Sequence, residues 1–499
     1  MDVEKPNFYA AFGFKANPFE GNTAEREPEI ERYAVRPPYL DPVDAASRVS
    51  GSYTLSGTRG SGKSATRITV QRNIWSDDKP HRLPIALTNF TAFRGNRSVS
   101  EAIELYAKQI FFLTIEASLV YLTVEDKKDI SVRDSTQKKF LDWSIKTFYL
   151  DRSEDARTAS ARECCDTFSL SFARRSLLWA DKRWDAITSS VIEIGSTIAK
   201  RFDFDVGSTE SLKQAVAAEK SSQLSEPTFV LKKAVEFAQM MGFTGLLVQI
   251  DKVDETDWTN TDTEAAAKLV WPLYSNVQLH EIEGLSWSFF LWDRVRALLV
   301  NENGMPVRWD KLPNDVIKWD RTLLIQLVQR RLEFFSDDSV KRLGDLLDLA
   351  TITEDDAYDA ILAVSGMAPR TLISVLNSVL TNHIQRVEGV KTLLTKESLD
   401  AGLDNFASST ILDDYTSNTI EQLKKVERLK FGTAEVRKTF SISQQAASQK
   451  IEKWIASGLV RRDGQVYSQA GRKPVDQFQI SDLKARRVVE RQLDIFGSI

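Results

Sequence analysis

The chain has 499 residues but only two cysteines and three histidines. Cys164 and Cys165 are adjacent, so they can neither frame a disulfide network nor complete a tetrahedral metal site, and their scarcity fits a reducing compartment. His81, His280 and His383 are scattered and offer no zinc-ligand spacing. Long apolar runs are missing too. The greasiest stretch, Ile110 to Leu122, carries Glu116 and is shorter than a membrane span. The opening Met1-Asp-Val-Glu-Lys-Pro-Asn is not a signal peptide, and no internal repeat or low-complexity tract is present. A soluble cytoplasmic protein without membrane contact is expected. Its composition, 42% hydrophobic and 27% charged, is that of an ordinary globular chain, and its length suggests two to four domains.

Net charge is near −4 but unevenly spread. Residues 421–475 hold twelve Lys/Arg against five Asp/Glu, about +7, which leaves roughly −11 for the rest. That asymmetry suggests a basic C-terminal module facing an anionic partner.

The most informative stretch present is Gly57-Thr58-Arg59-Gly60-Ser61-Gly62-Lys63-Ser64. It matches G-x-x-x-x-G-K-[ST], between an apparent strand at 52–56 and an apparent helix at 65–73. Glycines let the backbone wrap a phosphate with its N–H groups, and the helix N-terminus adds a positive dipole end. Lys63 is placed to reach the β- and γ-phosphates and Ser64 to ligate Mg2+, so ATP with Mg2+ is the expected cofactor pair.

Further strands are read at 81–93, at 246–250 and at 285–291, with a helix at 263–282 between the last two. Strands alternating with helices indicate an α/β fold built on a parallel sheet. Residues 1–50 are Pro-rich and read as irregular. The interval from Val99 to Phe237 is helical in pattern, and Trp143, Trp179 and Trp184 suggest that it has a small core of its own. Helical spacing returns at 321–337, 339–349, 353–364 and 369–386. The division expected is 1–97 and 239–320 for the two parts of a P-loop core, 98–238 for a large helical insertion, 321–415 for a helical lid and 416–499 for a terminal module. The insertion reads as a platform for a partner protein.

Asp251 closes the apolar run 246–250, with Asp254 and Glu255 three and four residues on. Asp251 is the candidate for Mg2+, directly or through water. Asp254 or Glu255 is the candidate for positioning the hydrolytic water.

The P-loop together with Asp251-Lys-Val-Asp254-Glu255 resembles the AAA+/STAND class of ATPases. It is similar in particular to bacterial P-loop ATPases that begin with Asn-Pro-Phe, as Asn17-Pro18-Phe19 does here. The resemblance implies that Phe19 or Tyr39 lies over the adenine. It also implies that Arg370, in Gly366-Met-Ala-Pro369-Arg370, senses the γ-phosphate from the lid, although one extra residue separates Gly from Pro. Where the class has a small polar sensor after the fourth strand, this chain has Trp292-Asp293-Arg294. Arg294, Arg308, Arg330 and Arg331 are candidate trans-acting fingers of an oligomer.

Residues 433–440 read as a helix, 441–443 as a turn, 444–457 as a second helix, and 458–467 as two strands around Asp463-Gly464. This pattern resembles a winged helix. Gln444, Gln445, Ser448, Gln449 and Lys450 would face base edges, and Arg461, Arg462, Arg472 and Lys473 phosphates of double-stranded DNA. The function expected is an ATP-driven molecular switch that controls a partner protein or DNA, and the resemblance implies a part in anti-phage defence or mobile-element systems. A DNA-loading initiator ATPase and a non-hydrolysing nucleotide-bound scaffold remain the alternatives.

Overall fold

The computed structural model describes residues 8–21, 27, 29–76, 82–95, 97–124, 135–149, 152, 226–260, 262–300, 305, 307–386, 392–466 and 474–495. The chain divides into two compact units. A sheet unit comprises Thr23–Glu31 and Arg36–Lys318, and a helical unit Met1–Asn22, Arg32–Val35 and Trp319–Ile499.

In the sheet unit, α1 (Leu40–Ser47) leads into β1 (Gly51–Gly57), α2 (Lys63–Ser76) and β2 (Arg82–Leu87). Among the described residues the helices α3 (Val99–Val124), α4 (Ser135–Ser144) and α5 (Pro227–Met240) follow. Then come β3 (Gly245–Ile250), α6 (Thr263–Ser275), β4 (Leu285–Trp292), α7 (Asp293–Val300) and β5 (Asn314–Val316). The strands are all parallel, in the order β2-β3-β4-β1-β5. This is the α/β arrangement of a P-loop NTPase. Every residue of β3 and β4 is buried, as expected of strands covered on both faces. The N-terminal ends of the strands are pinned by buried Arg82, whose Nη1–H donates to the Gly284 carbonyl at 2.6 Å and Nη2–H to Ser50 Oγ at 3.2 Å. Gly245 must be glycine there, because a Cβ would stand 2.2 Å from the Gly284 oxygen.

Several expectations are corrected. The segment 81–93 is a strand only to Leu87, because the Asn89 side chain accepts from Thr91 N–H and turns the chain into a short 3-10 element. The irregular reading of 1–50 overlooked α1, whose Pro42 sits in the first turn where no intrahelical donor is lost. The described helices of the insertion do not form a separate core. Phe111, Leu141, Phe148 and Phe237 belong to the same apolar cluster as β2, β3 and β4, and Trp143 packs against it. Trp179 and Trp184 lie outside the described residues. Among the described residues no single helix is long and apolar enough to cross a membrane.

The helical unit begins with α8 (Arg321–Phe335), α9 (Glu354–Ser365), α10 (Pro369–Arg386) and α11 (Lys396–Thr410). The expected helix at 339–349 is only a 3-10 turn at Leu343–Leu346. There the Asp345 carboxylate accepts from the Lys341 and Arg342 N–H groups and fixes a tight turn. Phe8, Phe12, Phe14 and Phe19 insert among these helices, so the N-terminal segment belongs to the core of the helical unit. After α12 (Ser417–Val426) come β6 (Lys430–Gly432), α13 (Thr433–Phe440), α14 (Gln444–Ala456), β7 (Val460–Val466), β8 (Val475–Ile480) and α15 (Leu483–Glu490). The antiparallel sheet β6-β8-β7 beside α13 and α14 is a winged helix. Asp463-Gly464 is not the hairpin turn expected; it is an irregularity within β7, with Gly464 at φ +89°. Arg472 and Lys473 lie outside the described residues. The winged helix is clamped to α11: Arg487 reaches Asp404 at 2.7 Å and Asp400 at 2.8 Å, and Arg491 reaches Asp404 at 3.0 Å.

His280, on the turn between α6 and β4, makes the sheet unit acid-sensitive. Its ring is buried beside Tyr274, Trp287 and Phe289, and Nε2–H donates to the Leu273 carbonyl at 3.0 Å. Burial pushes its pKa down to about 4 from 6.5. The unfolded chain therefore takes up a proton first, so the contribution is complete above pH 6.5 and is lost progressively as pH falls toward 4. Urea titrations of the parent across that window should lose about 3 kcal/mol more than those of His280→Phe.

Candidate nucleotide site

β1 ends at Gly57, opposite Trp292 of β4, and the loop 57–62 leads directly into α2. Gly60 and Gly62 hold φ at +75° and +99°, conformations that favour glycine and let the backbone fold into a cradle. A Cβ on Gly57 would meet Ser61 Oγ at 2.6 Å, so that position too must stay bare. The loop leaves Thr58 and Arg59 exposed and Ser61 buried. Lys63 is turned into the loop, donating from Nζ to the carbonyls of Thr58 at 2.9 Å and Gly57 at 3.1 Å. Burial lowers its pKa, and the carboxylates of Asp254, Asp251, Asp293 and Glu255 act in the opposite sense. Asp293, directly after β4, thus puts a carboxylate charge on the lysine where the resemblance implies a small polar sensor.

The acidic residues are not free-standing. Asp251 ends its strand 2% exposed, and its Oδ2 accepts from Arg67 Nε–H at 3.0 Å while its Oδ1 accepts from the Lys252 N–H at 2.9 Å. Arg67 is equally buried, one turn into α2 beyond Lys63, where side chains four apart share a face. It is a site residue that motif reading missed. Asp254 is buried and paired with Arg59 of the loop at 2.9 Å, whereas Glu255 is exposed. Among the described residues no group of three His, Cys, Asp or Glu could hold a metal ion by itself. The residues suit Mg2+ that arrives with a phosphate chain: Ser64 on the first turn of α2 supplies a hydroxyl, and a hard cation of this kind keeps waters and phosphate oxygens as its other ligands. Asp251, with both oxygens engaged, suits contact through water rather than direct ligation.

Other candidates are placed differently. Phe19 is corrected from an adenine platform to a core residue: it is 1% exposed within the apolar cluster of the helical unit. The Asn-Pro-Phe segment instead forms a local turn, with Phe19 N–H donating to Asn17 Oδ1 at 2.9 Å and Asn17 bonded to Asn377 at 2.7 Å. Tyr39 is buried in the sheet unit and hydrogen-bonded to Thr66 of α2, and burial pushes its phenol pKa up. Arg331 is no finger. It is buried, and its guanidinium donates to the carbonyls of Pro18 and Gly21, both at 2.9 Å. Arg330 donates to the Ala34 carbonyl, Arg308 pairs with Asp310, and Arg294 lies over Trp292. Arg370 is exposed on the first turn of α10.

On the winged helix, Gln444, Gln445, Ser448 and Gln449 are exposed along α14. Lys450 is corrected: its ammonium is bonded to Gln422 at 2.8 Å and lies 4.7 Å from the Phe440 ring, where burial lowers its pKa. Arg461 and Arg462 are exposed on β7, although each already has a partner, Gln479 at 3.2 Å and Glu452 at 2.5 Å.

No protein-family model matches the sequence, and no curated protein does. Among solved structures, the chain is similar to the ORC1 protein of Aeropyrum pernix in complex with DNA, at 10% identity and a TM-score of 0.39, over 95% of this chain and 96% of that one. It is similar also to the ORC2 protein of Aeropyrum pernix in ADPNP–ADP complexes, at 10% identity and a TM-score of 0.42, over 96% of each chain.

The Arg67–Asp251 pair predicts that Asp251→Asn is first of all a stability mutation. It strands a buried guanidinium, so urea unfolding should show a loss of about 3–5 kcal/mol, partly recovered when Arg67→Leu is added. A purely metal-binding Asp251 would leave the unfolding curve unchanged.

Proposed function

We propose that the chain is an ATP-binding and hydrolysing molecular switch of the AAA+ type. The observation that carries this reading is the cradle at the C-terminal end of β1, where Lys63 turns into a Gly-rich loop and the charges of four carboxylates act on its ammonium. The loop N–H groups and the start of α2 would hold the phosphates, Lys63 the β- and γ-phosphate charge, and Ser64 the Mg2+. When bound, Mg2+ bridges phosphate oxygens and neutralises the charge developing on them. Asp254 or Glu255 would orient the attacking water: Glu255 is exposed, whereas Asp254 is buried and paired with Arg59. The Gly366–Arg370 motif supports Arg370 as a reader of the γ-phosphate, which would make the helical unit responsive to the nucleotide and pass its state to a protein partner.

Lys63→Ala should abolish the thermal stabilisation that ATP and Mg2+ confer on the parent. Asp254→Asn with Glu255→Gln should keep that stabilisation and lose about 10²-fold in turnover. A Lys63→Ala protein stabilised as much as the parent sinks the reading.

The exposed Gln445 and Gln449 on α14, together with exposed Arg461 and Arg462 on β7, favour a second reading in which the switch acts on double-stranded DNA. In mobility shifts of the full chain, Arg461→Ala/Arg462→Ala should weaken binding to all sequences and flatten the salt slope by up to ~2 units. Gln449→Ala should cost roughly 1–3 kcal/mol on a preferred site alone. No shift at micromolar protein in low salt removes the DNA reading and leaves a protein partner.

A further inference from the structure

Arg59 belongs to the phosphate loop, yet its guanidinium is bonded to the acidic segment after β3. Nε–H donates to Asp254 Oδ2 and Nη2–H to the Asp254 carbonyl, both at 2.9 Å. The same group lies 4.3 Å from the centroid of the Trp292 ring, which Arg294 also approaches at 5.2 Å. The Asp254 side chain is 4% exposed, whereas that of Arg59 keeps 39%. The carboxylate is therefore enclosed, while the guanidinium retains an open flank that can take another anion.

That flank belongs to a loop shaped for phosphate. A triphosphate brings several negative charges to the loop, and a planar guanidinium fork matches phosphate oxygens in pairs. Asp254 is also the foremost of the carboxylates acting on Lys63, so its charge is felt where those phosphates would lie. Two anions thus compete for one guanidinium. While Arg59 donates to Oδ2, one acceptor site and the orientation of the Asp254 carboxylate are committed to the loop and not to a water.

We propose that Arg59 is a nucleotide-operated latch, holding Asp254 and releasing it when the oxygens of a nucleoside triphosphate take the guanidinium. The proposal rests on the nucleotide-binding part of the function above but not on hydrolysis. It makes Arg59 a positioning residue: the acid that would orient water becomes available when the substrate is in the loop.

A binding cycle tests it. The affinity of a non-hydrolysable ATP analogue with Mg2+ is measured on the parent, Arg59→Ala, Asp254→Asn and the double variant. With Arg59 present, Asp254→Asn removes the competitor, and affinity should rise about tenfold; with Ala at 59 the gain should be under about threefold. A gain as large or larger in the Ala background makes Asp254 a simple repulsive charge and overturns the latch. Should Arg59→Ala fail to fold in melting controls, Arg59→Lys takes its place, keeping the charge without the fork. ATP turnover by the parent tests hydrolysis separately: a positive cycle without turnover keeps the latch and removes the hydrolase, and a parent that binds no analogue overturns both.

Discussion

The buried ion pair between Arg67 and Asp251 fixes the relation between α2 and β3, and the geometry of the phosphate loop follows from it. Two charges that are each almost wholly removed from water are costly unless each satisfies the other. The pair therefore tolerates little displacement of the helix that begins at Lys63. Because β4 lies between β1 and β3, the contact reaches under the sheet edge and ties the helix after β1 to a strand that is not its neighbour. Lys63, four residues before Arg67 on the same helix, is held by that anchorage.

The second arginine–carboxylate contact in the same place works in the opposite manner. Arg59 and Asp254 join an exposed loop residue to a buried acid, with one partner still accessible to solvent. One pair is sealed and sets the frame; the other is half open and can be exchanged. Similar chemistry serves two purposes because burial differs.

Local signals were legible in the sequence and long-range pairing was not. The loop 57–64 could be read because its glycines, lysine and serine are demanded by positions next to one another, and β3 because an uninterrupted apolar run has few other uses. The helices α13 and α14 could be read on either side of the turn at 441–443, and Ser443 of that turn caps α14, its side chain accepting from the Ala446 N–H. Arg67 could not be recognised as a site residue, because an arginine on a helix gives no sign of a carboxylate 184 positions away. Phe19 was misread for the same reason: an aromatic residue looks alike whether it will cover a base or fill a core, and only the helices α8 to α10 decide. Lys450 looked like a DNA contact until Phe440 and Gln422, distant in sequence from one another, surrounded it. The short strands β5 and β6, of three residues each, are below the length at which any pattern stands out.

The clamp of Arg487 and Arg491 on Asp400 and Asp404 has a mechanical meaning. Four charges and the packing of Leu483 close above Gly366, where a Cβ would come within 3.0 Å of the leucine, leave α15 little freedom against α9 and α11. A body joined so firmly transmits rotation without slack. A small turn at α10, the helix that carries Arg370 on its first turn, would then be passed through α11 and α15 to the winged helix as a whole, and α14 would move with it.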